Sequence, residues 1–126
     1  MISDEDLKDR LRFVMHKGHA IFLIDFSHCQ GKDMLLLLDQ VRADVARHEP
    51  GTVLTLADFS GAKIGKEVAT KIKEVLTLDR PYVKKSAWVG TESLPRVFYE
   101  NFKSFSRRDF PTFETREEAM DWLVAE

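Results

Sequence analysis

The segment Ala20–Ile24 is apolar at every position, and it constrains the fold more than any other part of the chain. An amphipathic helix or a half-exposed strand would show polar residues at regular intervals, whereas a short, continuously apolar run is typical of a strand buried on both faces. Strands of this kind occur where helices cover both sides of a sheet. The chain is therefore predicted to be an α/β protein.

A hairpin is predicted at the start of the sheet. Leu11–Met15 forms a second strand-like run, and the segment His16-Lys17-Gly18-His19 separates it from Ala20–Ile24. Gly18 adopts positive φ without steric cost, which suits a tight turn. We expect the first two strands to pair antiparallel.

The remaining elements alternate between strands and helices. Further strands are predicted at Thr52–Ala57, Tyr82–Val89 and Phe110–Glu114, and helices at Lys32–Arg47, at Gly65–Leu78, from Leu94 onward and from Arg116 onward. Ser93 and Thr115 are the predicted N-caps of the last two helices, with Glu118 completing a capping box. The resulting order, ββαβαβαβα, predicts a mixed, mostly parallel sheet with right-handed crossovers and about four helices.

The length and the net charge of the chain limit the classes of function that it can have. The 126 residues suit a single domain, 1–126, with residues 1–10 as an N-terminal extension. The net charge of −2 gives no electrostatic field that favours nucleic acid. One cysteine, an acidic start and apolar runs far shorter than the roughly 20 residues that span a bilayer predict a cytoplasmic location and no integral membrane segment.

Two short sequences repeat one another: Asp25-Phe26-Ser27 and Asp58-Phe59-Ser60, each directly after a predicted strand. Carboxyl ends of parallel strands meet at one edge of a sheet, where α/β proteins bind their ligands. The residues predicted to line this ligand- or partner-binding edge are Asp25, Ser27, His28, Asp58, Ser60, Gly61 and Ser93. Aspartate and serine also cap turns at strand ends, so a purely structural role is the alternative.

The same edge contains the residue types of a serine hydrolase. Ser27 or Ser60 with His28 and a neighbouring aspartate would supply a nucleophile, a base and an orienting carboxylate. The sequence has no Gly-x-Ser-x-Gly nucleophile elbow, however. An esterase-like activity is therefore a third alternative, and no catalytic residue is predicted.

His16, His19, His28 and Cys29 are potential zinc ligands. His19 and His28 lie at opposite ends of one predicted strand, about 30 Å apart, and cannot share an ion. We predict no metal and no cofactor. A reactive Cys29 thiolate would need a neighbouring cation or helix N-terminus, and a buried apolar role is the alternative.

Three segments together resemble the STAS fold, and more closely the small stand-alone bacterial proteins described as SpoIIAA-like. They are Leu54–Ala62, Tyr82–Gly90 and Phe113–Leu123, which extend the resemblance over roughly residues 11–125. The resemblance implies a regulatory or protein-binding module without a reaction of its own. Anti-sigma-factor antagonists of this kind carry a phosphorylatable serine at a helix start, and the matching positions here are Glu67 and Val68.

Partner contacts are predicted at Lys63 and Lys66, which follow the second Asp-Phe-Ser sequence, and at Tyr99, which helical geometry directs away from the core. The aromatic residues between 98 and 113 favour two alternatives. One is a small apolar ligand or lipid carrier, because SpoIIAA-like proteins are also compared with CRAL-TRIO domains. The other is a homodimer interface. Lys84, Lys85, Lys103, Arg107 and Arg108 form a basic cluster, interpreted as a solvated face.

Overall fold

The computed structural model describes residues 2–125 and shows an α/β domain with one mixed sheet. The strands are β1 (Leu11–His16), β2 (His19–Asp25), β3 (Val53–Asp58), β4 (Val83–Val89) and β5 (Thr112–Phe113), in the spatial order β1-β2-β3-β4-β5. β1 and β2 pair antiparallel, and all later pairs are parallel. The predicted fold class is confirmed at this level.

The helices are α1 (Asp4–Arg10), α2 (Gly31–Val45), α3 (Lys66–Asp79), α4 (Arg96–Ser106) and α5 (Arg116–Val124), with a short 3-10 turn at Thr91–Ser93. Within residues 2–125 the longest helix, α2, has 15 residues. No helix in this part of the chain combines the length and the apolar character that crossing a membrane requires.

The predicted hairpin is confirmed. The register runs from Leu11 opposite Ile24 to His16 opposite His19. Lys17 and Gly18 form the turn, with φ of 50° and 83°. Two successive positive φ values match the twist of the flanking strands, as in a type I′ turn.

Helices cover both faces of the sheet, which explains why β2 is continuously apolar. Phe22 and Ile24 face the larger core under α2, α3 and α4. Ile21 and Leu23 face the smaller core, which α5 closes with Ala119 and Leu123. Alternate residues of a strand point to opposite faces, so the buried positions Ile21–Ile24 of β2 all need apolar side chains.

The starts of three helices test the predicted caps. Thr115 Oγ1 accepts the backbone N–H of Glu118 at 3.1 Å, which confirms the predicted cap of α5. The prediction for Ser93 is wrong, because Ser93 ends the 3-10 turn and α4 begins at Arg96 after an N-cap Pro95 without a side-chain bond. The N-terminal extension contains a helix that was not predicted, α1, whose N-cap is Ser3.

The predicted orientation of Tyr99 is also wrong. Its ring packs against Trp88, with 5.8 Å between ring centroids, and its hydroxyl donates to the Phe110 carbonyl at 2.8 Å. Phe105, on the same helix, is 60% exposed. α4 is oriented so that Tyr99 and Phe102 pack against the sheet, where both rings contact Trp88.

Candidate functional site

The two predicted aspartates lie side by side at the carboxyl edge of the sheet. Asp25 ends β2, Asp58 ends β3, and the two residues are directly in register. Each carboxylate accepts the backbone N–H two residues on, from Ser27 and from Ser60, both at 2.9 Å. These are the local turns that aspartate stabilises when a strand ends.

Two arginines bind this pair of strand ends, and the sequence analysis identified neither. Arg116 donates from Nε to Asp58 at 2.8 Å and places Nη2 3.5 Å from Asp25. Arg10 donates to the carbonyls of Asp25 and Ser27, at 3.1 and 2.9 Å. A signal existed for Arg116: it is the first residue of α5, where the helix dipole disfavours a positive charge unless another group compensates it.

Opposing effects act on the Asp58 carboxyl. Burial raises its pKa. The hydrogen bonds from Ser60 and the hydrogen bond and charge of Arg116 together lower it by more, so the pKa of Asp58 lies below its ordinary value. A carboxyl with a lowered pKa stabilises the folded state at neutral pH, and this contribution is lost as the pH falls through the folded-state pKa. Asp58 is therefore an ionised structural anchor near neutral pH.

Replacing Arg116 by methionine is expected to lower the free energy of unfolding at pH 7 by about 1–2 kcal/mol, because a mostly buried carboxylate loses its charged partner while Arg116 itself is partly exposed. Urea denaturation of the variant and of Arg96→Met, an exposed control on α4, measures this. The difference from the native protein should shrink as the pH falls from 7 to 3, toward the lowered pKa of Asp58. A loss that is equal at both pH values would contradict the assignment.

The Asp-Phe-Ser segments continue past the strands as two parallel loops. Backbone bonds from Phe26 to Asp58 and from His28 to Ser60, both 2.8 Å, join them. The two phenylalanine rings turn into the core, with centroids 5.1 Å apart. The repeated sequence thus has a structural explanation: the aspartate caps the loop, the phenylalanine anchors it and the serine provides the amide.

Two glycines allow neighbouring loops to pack closely against each other at this edge. Gly90 has a φ of 69°, and a Cβ there would lie 2.7 Å from the Ser60 Cα. Gly61, also at positive φ, lies against the His28 ring. Ser93 Oγ donates to the Phe59 carbonyl at 3.0 Å. The predicted edge residues Ser60, Gly61 and Ser93 are thus gathered at one place, as expected, with Tyr99 away from them in the core.

The hydroxyls of this edge do not form a nucleophile–base pair. Between residues 2 and 125, no side-chain hydrogen bond joins Ser27 or Ser60 to His28. Burial raises the pKa of the Cys29 thiol, which disfavours the thiolate. In the same part of the chain, no three His, Cys, Asp or Glu side chains come together in a way that could hold a metal ion.

Next to the edge lies an open groove between the N-termini of α2 and α3. Gln30 and Lys63 form a parallel bridge, and Lys63 donates its amide to the Cys29 carbonyl at 3.0 Å. The groove measures about 470 Å³ and is lined by polar and apolar side chains that include Gln30, Lys32, Leu35, Lys63, Lys66 and Val68. We call this the α2–α3 groove; two of the predicted partner contacts, Lys63 and Lys66, lie on it.

The first turns of both helices are open toward this groove. Neither Gln30, the N-cap of α2, nor Gly65, the N-cap of α3, makes a side-chain capping bond. The first amides of a helix need acceptors, and the helix dipole favours negative charge there.

Comparison of the chain with protein-family models, with curated proteins and with solved structures found no match.

Proposed function

We propose that this chain is a regulatory protein-binding module of the STAS kind, and that it binds an acidic segment of a partner protein in the α2–α3 groove. The observation that carries the proposal is the pair of uncapped helix N-termini opening onto one groove with exposed lysines at its rim. A carboxylate from a partner would satisfy the free amides and pair with the lysines.

Among the described residues, three lysines and one carboxylate, Glu67, line this groove, and the excess of positive charge supports an acidic occupant. Lys32, Lys63 and Lys66 are exposed. Within the described part of the chain, no carboxylate lies within the 4.0 Å of an ion pair from any of the three. Leu35 and Val68 add an apolar floor. Charged contacts of this type at a rim raise association rates and specificity more than affinity.

The polar edge beside the groove supports docking rather than chemistry. Asp25 and Asp58 already use their carboxylates to hold Arg116 and the loop amides. These bonds hold the two loops in place. The groove beside them is therefore a preorganised surface, which reduces the entropy lost on binding.

An apolar carrier function has less support. The apolar cavity between the sheet and helices α2 and α3 measures about 40 Å³. Pockets that bury a small organic ligand usually have volumes of about 300 Å³ or more. A lipid chain would therefore require the helices to separate.

The experiment is affinity capture of partners by the tagged chain from the lysate of its source, followed by measured binding of each captured protein. Lys63→Glu with Lys66→Glu is expected to weaken binding by about tenfold or more, because two attractive contacts become repulsive. The matched control is Arg12→Glu with Arg47→Glu, which makes the same change of charge on β1 and beyond the other end of α2.

Two results would reject the proposal. One is a captured partner whose affinity is the same for the Lys63/Lys66 variant and the native chain. The other is an equal loss in the control, which would assign the effect to net charge. Native mass spectrometry of the same preparation tests the carrier alternative, since a bound apolar molecule adds mass that denaturation removes.

A further inference from the structure

A second concave surface, separate from the α2–α3 groove, lies against the first half of β4. It has a volume of about 220 Å³ and is lined largely by cationic side chains: Arg80, Lys84, Lys85, Arg107 and Arg108, with Val83, Ser86 and Asp109. β5 pairs with β4 only at Trp88 and Val89, so the first half of β4 pairs with β3 on one edge and, within residues 2–125, has no neighbouring strand on the other. We call this surface the β4 basic pocket.

Arg108 is the deepest charge of the β4 basic pocket. It donates to the Leu76 carbonyl at 3.3 Å and to the Ser86 hydroxyl, which in turn bonds Thr55 in the sheet at 2.6 Å. Within residues 2–125 no carboxylate lies within 4.0 Å of its guanidinium. Burial lowers the pKa of Arg108 to about 10, so it stays charged at neutral pH. The charge of the Asp79 carboxylate acts on it from beyond ion-pair distance, so in this part of the chain the guanidinium has no directly bound counterion.

The other members add positive charge at the mouth. Arg80, Lys84 and Arg107 are exposed, and within the described residues none of them forms an ion pair. Lys85 points elsewhere, since its ammonium donates to the Trp122 carbonyl at 2.6 Å. Asp109 is the one acidic residue among the described residues of the lining, and its carboxylate lies 3.4 Å from Lys103, which does not line the pocket.

Protection of a sheet edge explains only part of this arrangement. Lysines on an uncovered strand prevent edge-to-edge aggregation, and that would account for Lys84 and Lys85. It does not account for a partly buried arginine hydrogen-bonded through Ser86 to the sheet, or for arginines contributed by two separate loops. Convergence of a hydrogen-bonded guanidinium with exposed cations on one concavity is the arrangement that binds an anion with several oxygens.

We propose that the β4 basic pocket binds a small phosphate-bearing anion, with Arg108 as its fixed base and Arg80, Lys84 and Arg107 closing over it. A phosphate group carries close to two negative charges at pH 7 and three acceptor oxygens, which matches several converging cations better than one carboxylate does. The volume admits a diphosphate-sized ion and is below that of most drug-sized sites. This site is independent of the α2–α3 groove.

The test is isothermal titration calorimetry of the full chain with inorganic pyrophosphate and with glycerol phosphate at fixed ionic strength. We expect one saturable site per chain. Lys84→Gln with Arg107→Gln, both exposed and tolerant of substitution, should weaken it by about tenfold or more. Lys8→Gln with Arg12→Gln removes the same charge at α1 and β1, on the opposite side of the sheet, and should leave the affinity unchanged.

The two probes distinguish the sources of the ligand. Tighter binding of pyrophosphate indicates a diphosphate group, and comparable binding of glycerol phosphate indicates a phosphate monoester; both results support the proposal. Absence of saturable binding to the native chain would overturn it, as would an equal loss in both double variants. Partner capture through the α2–α3 groove is measured separately, so failure of one proposal does not decide the other.

Discussion

Replacing Trp88 by alanine is expected to lower the free energy of unfolding by about 3–5 kcal/mol, the largest effect of any substitution considered. Trp88 is 3% exposed on β4. Its ring contacts four others, with centroid separations of 4.2 Å to Phe110, 4.5 Å to Phe59, 5.8 Å to Tyr99 and 6.0 Å to Phe102. These rings come from separate parts of the chain, so the indole joins the sheet, the loop after β3, α4 and the segment before β5.

Urea denaturation at pH 7 measures this loss, with Trp122→Ala as the matched control. Trp122 is a partly exposed tryptophan of α5 that packs at a tilt against Phe113, with 5.7 Å between ring centroids. Because less of its area is removed from water, its replacement should cost clearly less. Similar losses for the two variants would contradict the central position assigned to Trp88.

Stability is expected to rise on mild acidification through Asp79. This residue ends α3, is 4% exposed, and faces Arg42 of α2, 3.4 Å away, and Arg108 of the loop after α4. Burial raises the pKa of Asp79 from 3.8 to about 6, although the charges of Arg108 and Arg42 act in the opposite direction. The buried carboxylate is therefore only partly compensated at neutral pH.

The sign follows from proton linkage. The folded state binds a proton at Asp79 more tightly than the unfolded state, so the favourable contribution is complete below pH 3.8 and is lost as the pH rises through about 6. One step in pKa corresponds to about 1.4 kcal/mol, and the whole contribution is therefore about 3 kcal/mol. Asp58 acts in the opposite direction, but its contribution is lost only as the pH falls below about 3.8 and through its lowered pKa.

Comparison of the native chain with Asp79→Asn isolates this effect, since asparagine keeps the shape and does not titrate. We expect the stability of the variant relative to the native chain to be higher at pH 7.5 than at pH 4.5. The difference between their free energies of unfolding should change by about 2 kcal/mol in favour of the variant. Urea denaturation at the two pH values measures it. A relative stability that does not change between them would show that Asp79 has an ordinary pKa in the folded protein.

Features that depend on neighbouring residues were predictable. The hairpin around Gly18, the parallel order of the later strands and the Thr115 cap each depend on a few residues close in the chain. The adjacency of Asp25 and Asp58 also followed, because parallel strands place their carboxyl ends at one edge. The local pattern did not predict which groups these carboxylates bind.

Arg116 shows why. It lies 58 residues from Asp58 in the chain, and only the packing of α5 on the sheet brings the two within 2.8 Å. The orientation of Tyr99 likewise depends on the cluster around Trp88 rather than on the periodicity of α4. The error for Ser93 arose because its hydroxyl bonds the Phe59 carbonyl of a distant loop instead of capping the following helix.

By itself, the sequence determined an α/β chain with a hairpin, parallel strands and a polar carboxyl edge, because these features follow from periodicity, turn chemistry and the handedness of crossovers. Only the tertiary structure decided which polar groups are used internally and which are left open. Asp25 and Asp58 are bound by arginines, whereas the lysines of the α2–α3 groove and the cations around Arg108 face solvent-filled concavities. The physical reason is that ion pairing depends on distances of a few ångströms between residues far apart in the chain.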